Sequence, residues 1–136
     1  MPEDLIRWTD GRVLVATGSP FPPVEHGGVT YRIAQANNAL VFPGLGLGVT
    51  VARAARITDG TITAAAEAVA GLSDATTRGA SLLPPVTDLR MVSAAVAIAV
   101  THAAEKEGLA QVPLEDPVQQ VHQAMWRPQY PSFEVI

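Results

Sequence analysis

The sequence contains no cysteine. That excludes disulfides, thiolate zinc sites and cysteine nucleophiles, and it fits a reducing, cytoplasmic setting. Lysine is nearly absent, Lys106 being the only one, and the formal net charge is -4. With its few basic residues scattered, the chain has no electrostatic footprint for nucleic acid. Aromatic residues make up only 5%, so the core must be built from Ala, Val and Leu on closely packed helices. Long apolar runs are missing as well. The stretch with most membrane character, Ala39 to Ala52, is interrupted by Pro43 and three glycines and is too short to cross a bilayer. The start, Met1 to Trp8, is acidic and lacks the apolar run of a secretory signal. The chain therefore reads as soluble, without a membrane partner. Its 136 residues, 48% of them apolar, suit one domain, which at this size buries roughly two-thirds of its unfolded surface.

Local signals divide the chain into short elements. Pro2 to Trp8 reads as one or two helical turns, with Glu3 and Asp4 complementing the helix dipole. Thr9-Asp10-Gly11 signals a turn. Val13-Leu14-Val15-Ala16 is a continuous apolar run, as in a strand buried on both faces of a parallel sheet. No second run of this kind is visible, so the strand lacks an evident partner for its backbone groups. After the stiff loop Gly18 to Pro23, Val24-Glu25-His26 and Val29 to Ile33 flank Gly27-Gly28 and predict a hairpin.

The helical signals follow. Ala39 to Val51 predicts a buried helix with Pro43 near its start. Gly44, Gly46 and Gly48 each weaken it by roughly 1 kcal/mol relative to Ala, and glycines kept at that cost usually admit another backbone. Thr58-Asp59 predicts an N-cap and Gly71 a stop, with Ile62, Ala65, Ala66 and Val69 on one apolar face. Pro84-Pro85 leads into a helix from about Thr87 to Lys106, striped by Val92, Val96, Ala99, Val100 and Ala103. A short helix is expected from Pro117 to Trp126, beyond which Pro128 and Pro131 prevent regular structure.

Most chemical candidates dissolve on inspection. Gly44-Leu45-Gly46-Leu47-Gly48 approaches a dinucleotide fingerprint, but the sixth position is Val49 and no clean strand precedes it, so these read as packing glycines. His26, His102 and His122 are far apart and read as structural histidines. Glu105-Lys106-Glu107 and Glu115-Asp116 read as solvated charge. Ser19 lacks the G-x-S-x-G frame of a nucleophile elbow. Two features stand out. The loop Gly18-Ser19-Pro20-Phe21 follows the one convincing parallel strand, and ligands of open α/β sheets bind at such ends. Asn37-Asn38 precede an apolar helix, where they can cap it or offer amides to a small anion. Capping is the favoured reading from these residues alone.

The words Ala16-Thr17-Gly18-Ser19-Pro20-Phe21, Gln35-Ala36-Asn37-Asn38 and Phe42-Pro43-Gly44-Leu45-Gly46-Leu47-Gly48-Val49 resemble, in order and spacing, those of malic enzymes. Ile57-Thr58-Asp59-Gly60, Leu83-Pro84-Pro85, Val92-Ser93 and Trp126-Arg127-Pro128-x-Tyr130 continue the resemblance along essentially the whole chain. The Ser19-Pro20-Phe21 form resembles the large type. The resemblance implies an α/β fold, here the C-terminal part of a Rossmann-like NAD(P)-binding domain and mainly helical, with residues 1–136 an incomplete domain.

It further implies oxidative decarboxylation of L-malate to pyruvate and carbon dioxide, with NAD or NADP and a divalent Mg or Mn ion in the complete enzyme. No cofactor is expected on this piece alone. Asn37 and Asn38 match the family's substrate-positioning asparagines, with an amide hydrogen bond to a malate carboxylate. Gly18 and Ser19 match the wall near the cofactor. The family's Tyr and Lys, its metal-binding carboxylates, its dinucleotide glycine loop and a further substrate Asn find no match here, so no catalytic residue and no metal ligand is assigned to the chain. Ala36 stands where Cys or Gly is common in the family, and Arg53 where small residues are frequent. The expectation is a malic enzyme segment, inactive alone and part of a homo-oligomer. The alternative is a non-catalytic oligomerisation or interaction module, motivated by the unpaired edges of the strand at Val13 to Ala16.

Overall fold

The computed structural model of the chain describes residues 1–128 and Tyr130. The expectation for Pro131 falls outside the described residues. Helix α1 (Pro2–Trp8) opens the chain and is followed by the strands β1 (Ala16–Thr17), β2 (Val24–His26), β3 (Val29–Tyr31) and β4 (Ala34–Gln35). Helices α2 (Phe42–Ala52), α3 (Asp59–Ala70), α4 (Leu89–Lys106) and α5 (Pro117–Ala124) make up the larger part. A 3-10 turn, Asn38–Leu40, leads into α2, and another, Val86–Asp88, leads into α4.

The hairpin forms as expected, with β2 antiparallel to β3 and Glu25 opposite Thr30. Gly27 (φ 58°) and Gly28 (φ 76°) supply the two left-handed positions of a two-residue turn, a conformation that side-chain-bearing residues resist.

The strand at Val13 to Ala16 departs from expectation in three ways. It is shorter, and it has a partner: β1 pairs in parallel with β4, Ala16 opposite Ala34 and Thr17 opposite Gln35. The amide of Ala34 donates to the Val15 carbonyl (3.0 Å) and that of Ala36 to the Thr17 carbonyl (2.9 Å). It is also buried on one face only. Val15 packs with Ile6 and Tyr31, flanked by Val13, Val24 and Ile33, whereas Leu14 is 44% exposed. With only two strands, the apolar run has one packing partner and alternates in burial accordingly.

The main core lies between helices. Leu40, Leu45, Ala65, Val69, Val92, Val96 and Val100 form one cluster, with α4 packed between α2 and α3. Together with its leading turn, α4 is long and apolar enough to span a membrane by length and composition, whereas the sequence suggests 39–52, too short to span, as the stretch with most membrane character. Here it is the central core helix: Val92, Val96, Val100 and Ala104 are fully buried. Small residues let α2 approach it. A Cβ on Gly44 would stand 2.5 Å from Val96 Cβ, and one on Gly48 would stand 2.6 Å from the Ala97 carbonyl oxygen. The buried Thr101 hydroxyl donates to the Gly48 carbonyl (3.3 Å), satisfying a polar group that burial would otherwise penalise. Gly46, two residues out of phase, faces away and meets nothing, so the packing reading holds for two of the three glycines.

Helix α3 is capped by Thr58 as expected. The Thr58 hydroxyl accepts from the Thr61 amide (3.2 Å) and the Thr61 hydroxyl from the Thr58 amide (2.9 Å), a capping box with threonine in the usual glutamate place. Its buried face is Thr61, Ala65 and Val69. Ile62, expected inside, is 51% exposed, and Ala66 is exposed too; the stripe is rotated because Thr61, tied into the cap, occupies the inward position. Glu107 is not simply solvated. It reaches from the end of α4 to accept a hydrogen bond from the Thr58 hydroxyl (2.6 Å), placing a carboxylate at the positive end of α3. Gly60 makes room for it: a Cβ there would overlap Glu107 Oε1.

Candidate functional site

The parallel pairing of β1 and β4 determines where the candidate residues meet. In a parallel pair both strands run out at the same edge. With Thr17 opposite Gln35, the chain leaves β1 into Gly18 and Ser19 and leaves β4 into Ala36, Asn37 and Asn38 at that one edge. This is the carboxyl end, where open α/β sheets place their ligands. The four residues singled out from the sequence are therefore brought to one side of the sheet by the ladder itself.

The two loops are also tied to each other. The Gln35 side-chain amide donates across to the Gly18 carbonyl (3.3 Å), while the Thr17 hydroxyl braces its own loop by donating to the Ser19 carbonyl (2.8 Å). Both Thr17 and Gln35 lie within the sequence words quoted above but were not assigned a role. Their signal, two polar residues in register at the ends of adjacent strands, appears only once β4 is recognised as a strand. Gly18 and Ser19 are exposed, and nothing lies within 4 Å of where a Cβ on Gly18 would stand, so this glycine is not demanded by packing within the chain. Beside the loop is a recess of about 320 Å³ lined by Pro20, Phe21, Pro23, Ala34 and Gln35 among others.

Asn37 is half-buried and extended (φ -120°, ψ 132°), and its side-chain oxygen accepts from the Ala39 amide at 2.9 Å. The capping expected of the pair is thus performed by Asn37, on the 3-10 turn that precedes α2 and not on α2 itself. With the oxygen committed, the Asn37 carboxamide presents its NH2 as a donor. Asn38 begins the turn and is exposed.

The histidines stay apart: His26 lies 3.5 Å from Asp10 and His102 lies 3.8 Å from Glu105. Among the described residues no three His, Asp or Glu side chains are placed to share one ion. Asp74 lies in the loop after α3. Hydrogen bonds from the Thr76 hydroxyl and amide hold its carboxyl below the ordinary carboxylate range.

Residues 1–105 match the family described as malic enzyme, NAD binding domain. The chain belongs to the malic enzyme family. Curated relatives agree along the whole of it. NAD-dependent malic enzyme 3 of Bacillus subtilis (strain 168) is 57% identical over 135 residues, covering 99% of this chain and 24% of that protein. The NAD-dependent malic enzymes of Sodalis glossinidius (strain morsitans) and Pseudomonas syringae pv. syringae (strain B728a) are 48% and 46% identical over 134 residues, each covering 97% of this chain and 24% of the relative. The chain thus spans about a quarter of the length of the malic enzymes it matches. Its fold class is accordingly that of a malic enzyme NAD-binding domain, and the mainly helical α/β piece seen here is the expected part of it.

Proposed function

We propose that this chain forms one wall of a malic enzyme active site. The complete enzyme would oxidise and decarboxylate L-malate to pyruvate and carbon dioxide. The observation that carries the reading is the parallel β1–β4 ladder, which delivers Gly18-Ser19 and Asn37-Asn38 to one edge. Asn37 would donate its NH2 to a malate carboxylate, its orientation set by the cap on Ala39. Asn38, exposed beside it, would add a second amide. A hydrogen bond to a charged acceptor is worth about 1.5–3 kcal/mol, enough to position a small dicarboxylate.

The relatives carry NAD in their names, and NAD is the cofactor we favour over NADP. When bound it supplies the hydride acceptor. The residues here fit a part of it. The open side of Gly18 and the recess at Pro20 and Phe21 can face a flat ring, but the sequence has no glycine-rich phosphate turn. We therefore assign this chain no part in holding the diphosphate. Mg or Mn, if used by the complete enzyme, draws no ligand we can assign among the described residues.

The test compares two preparations for malate-dependent NAD reduction: this chain alone, and a complete malic enzyme polypeptide that carries it. Activity is expected only in the second. Activity that co-purifies with the 136-residue chain would overturn the reading. The interaction-module alternative loses its motive in part, because β1 has a partner in β4. It would regain ground if the complete polypeptide were folded and inert towards malate. Self-association, which malic enzyme membership leads us to propose, is read by light scattering of the same preparations.

A further inference from the structure

A second recess, of about 580 Å³, lies between the β2–β3 hairpin and the loop that joins α3 to α4. Its volume falls within the range of small-molecule sites. Its walls are fastened. The Arg32 amide donates to the Gly79 carbonyl (2.9 Å). Gly79 adopts φ +83°, and a Cβ there would overlap the Thr30 carbonyl oxygen. Hairpin and loop are thus locked at a separation that only glycine permits.

The chemistry of the lining is uneven. Arg78 and Arg32 both line it. Arg78 is held in place, donating from Nε to the Tyr31 hydroxyl (2.8 Å) and from Nη2 to the Asp10 carbonyl (3.1 Å). Arg32 is exposed, and among the described residues no carboxylate lies within 4 Å of its guanidinium. Ser73 also lines the recess, and its hydroxyl is, among the described residues, one of two buried side-chain polar atoms with no hydrogen-bond partner. Such an orphan calls for an explanation. One carboxylate is present, Asp74; its Oδ1 accepts from the Thr76 hydroxyl and amide, and it pairs with neither arginine among the described residues. The wall therefore carries two guanidiniums against one carboxylate, a free planar fork and an unpaired hydroxyl donor.

We propose that this recess binds a small molecule through an oxyanion group, a carboxylate or a phosphate. The Arg32 fork would donate to it bidentately, as planar guanidinium suits both groups. The Ser73 hydroxyl, shielded from solvent as it stands, would turn to another rotamer to donate to it, and the fixed charge of Arg78 would add to the local field. An apolar or cationic ligand would leave the donors unanswered. Arg32, Ser81, Pro84 and Pro85 line both this recess and the one beside Phe21, but Gly18, Ser19, Asn37 and Asn38 do not line this one and Ser73 and Gly79 line it alone, so failure of binding here would leave the malate reading of the asparagines intact.

The test is an NMR titration of the full 136-residue chain with inorganic phosphate and, separately, with succinate. Sodium chloride at matched ionic strength removes general screening. Saturable shifts are expected at the Arg32 side-chain N–H and the Ser73 and Gly79 amides. Binding should weaken about tenfold or more in Arg32→Gln, the loss of a charge-assisted hydrogen bond, and less in Arg32→Lys, which keeps the charge but not the fork. Arg32 is exposed, so these variants are expected to retain amide dispersion; Ser73→Ala, which removes the orphan, is the second probe and should also weaken binding. Saturation by phosphate alone assigns a phosphate ligand, by succinate alone a carboxylate, and by both the shared oxyanion chemistry. Shifts reproduced by chloride, or saturation unchanged in Arg32→Gln and Ser73→Ala, would overturn the proposal.

Discussion

The same substitution at three positions of one helix should have opposite effects. Ala for Gly inside a helix gains about 1 kcal/mol from propensity alone. At Gly46 nothing lies within 4 Å of the new methyl group, so Gly46→Ala is expected to stabilise the chain by about 0.5–1 kcal/mol. At Gly44 the methyl would stand 2.7 Å from the Ser93 carbonyl oxygen and 2.5 Å from Val96 Cβ, and at Gly48 2.6 Å from the Ala97 carbonyl oxygen. These neighbours are backbone and β-branched atoms of α4, which cannot swing aside. The two helices must separate by more than half an ångström, opening the core around Val96 and Val100. Overpacking of this kind costs about 1–3 kcal/mol, which offsets the propensity gain and leaves Gly44→Ala and Gly48→Ala neutral to about 2 kcal/mol less stable. Urea unfolding of the 136-residue chain reads all three through the midpoint at constant slope. Equal signs at the three sites would refute the packing argument, and would point to the glycines serving helix flexibility instead.

Other expectations are smaller in scale. Glu107→Gln keeps the shape of the contact with Thr58 but removes the charge at the start of α3, and should lower stability by about 0.3–1 kcal/mol, less at high salt; an unchanged urea midpoint would argue that the contact contributes nothing. Asp74, held low by Thr76, should titrate by NMR with a midpoint below 3.8 and return towards it in Thr76→Val. Because the folded value is depressed, the turn's contribution is present above pH 3.8 and is lost as pH falls through the folded midpoint. A wild-type midpoint at or above 3.8 would refute this.

The helices were legible because their signals are local and redundant. Thr58 and Gly71 bound α3, Pro43 opens α2, and the valines of α4 recur at every fourth residue. The hairpin was legible because Gly27-Gly28 admits few other conformations. What escaped is non-local. Ala34-Gln35 is too short and too polar to announce a strand, and it becomes one only because Val15 and Thr17 offer carbonyls beside it. Missing it made β1 look orphaned and hid Gln35 as the tie between the two loops. The face of α3 was misjudged because Ile62 fits an apolar stripe as well as Thr61 does by spacing, and only the capping box shows that Thr61 turns inward. Glu107 looked solvated because its partner Thr58 is 49 residues away. At the site, the resemblance named Asn37 and Asn38; the structure adds that Asn37 caps with its oxygen, a detail no sequence pattern carries.

That detail permits a direct test of the central claim, that Asn37 donates to malate. In a complete malic enzyme carrying this sequence, Asn37→Asp keeps the cap, since Asp and Asn cap alike, but exchanges the NH2 donor for a negative charge facing a carboxylate. The expected result is an unfolding midpoint within error of the parent and a kcat/KM for malate lower by about 10–100-fold, the loss of one hydrogen bond to a charged group. A stably folded Asn37→Asp enzyme with the parent's kcat/KM for malate would contradict the account.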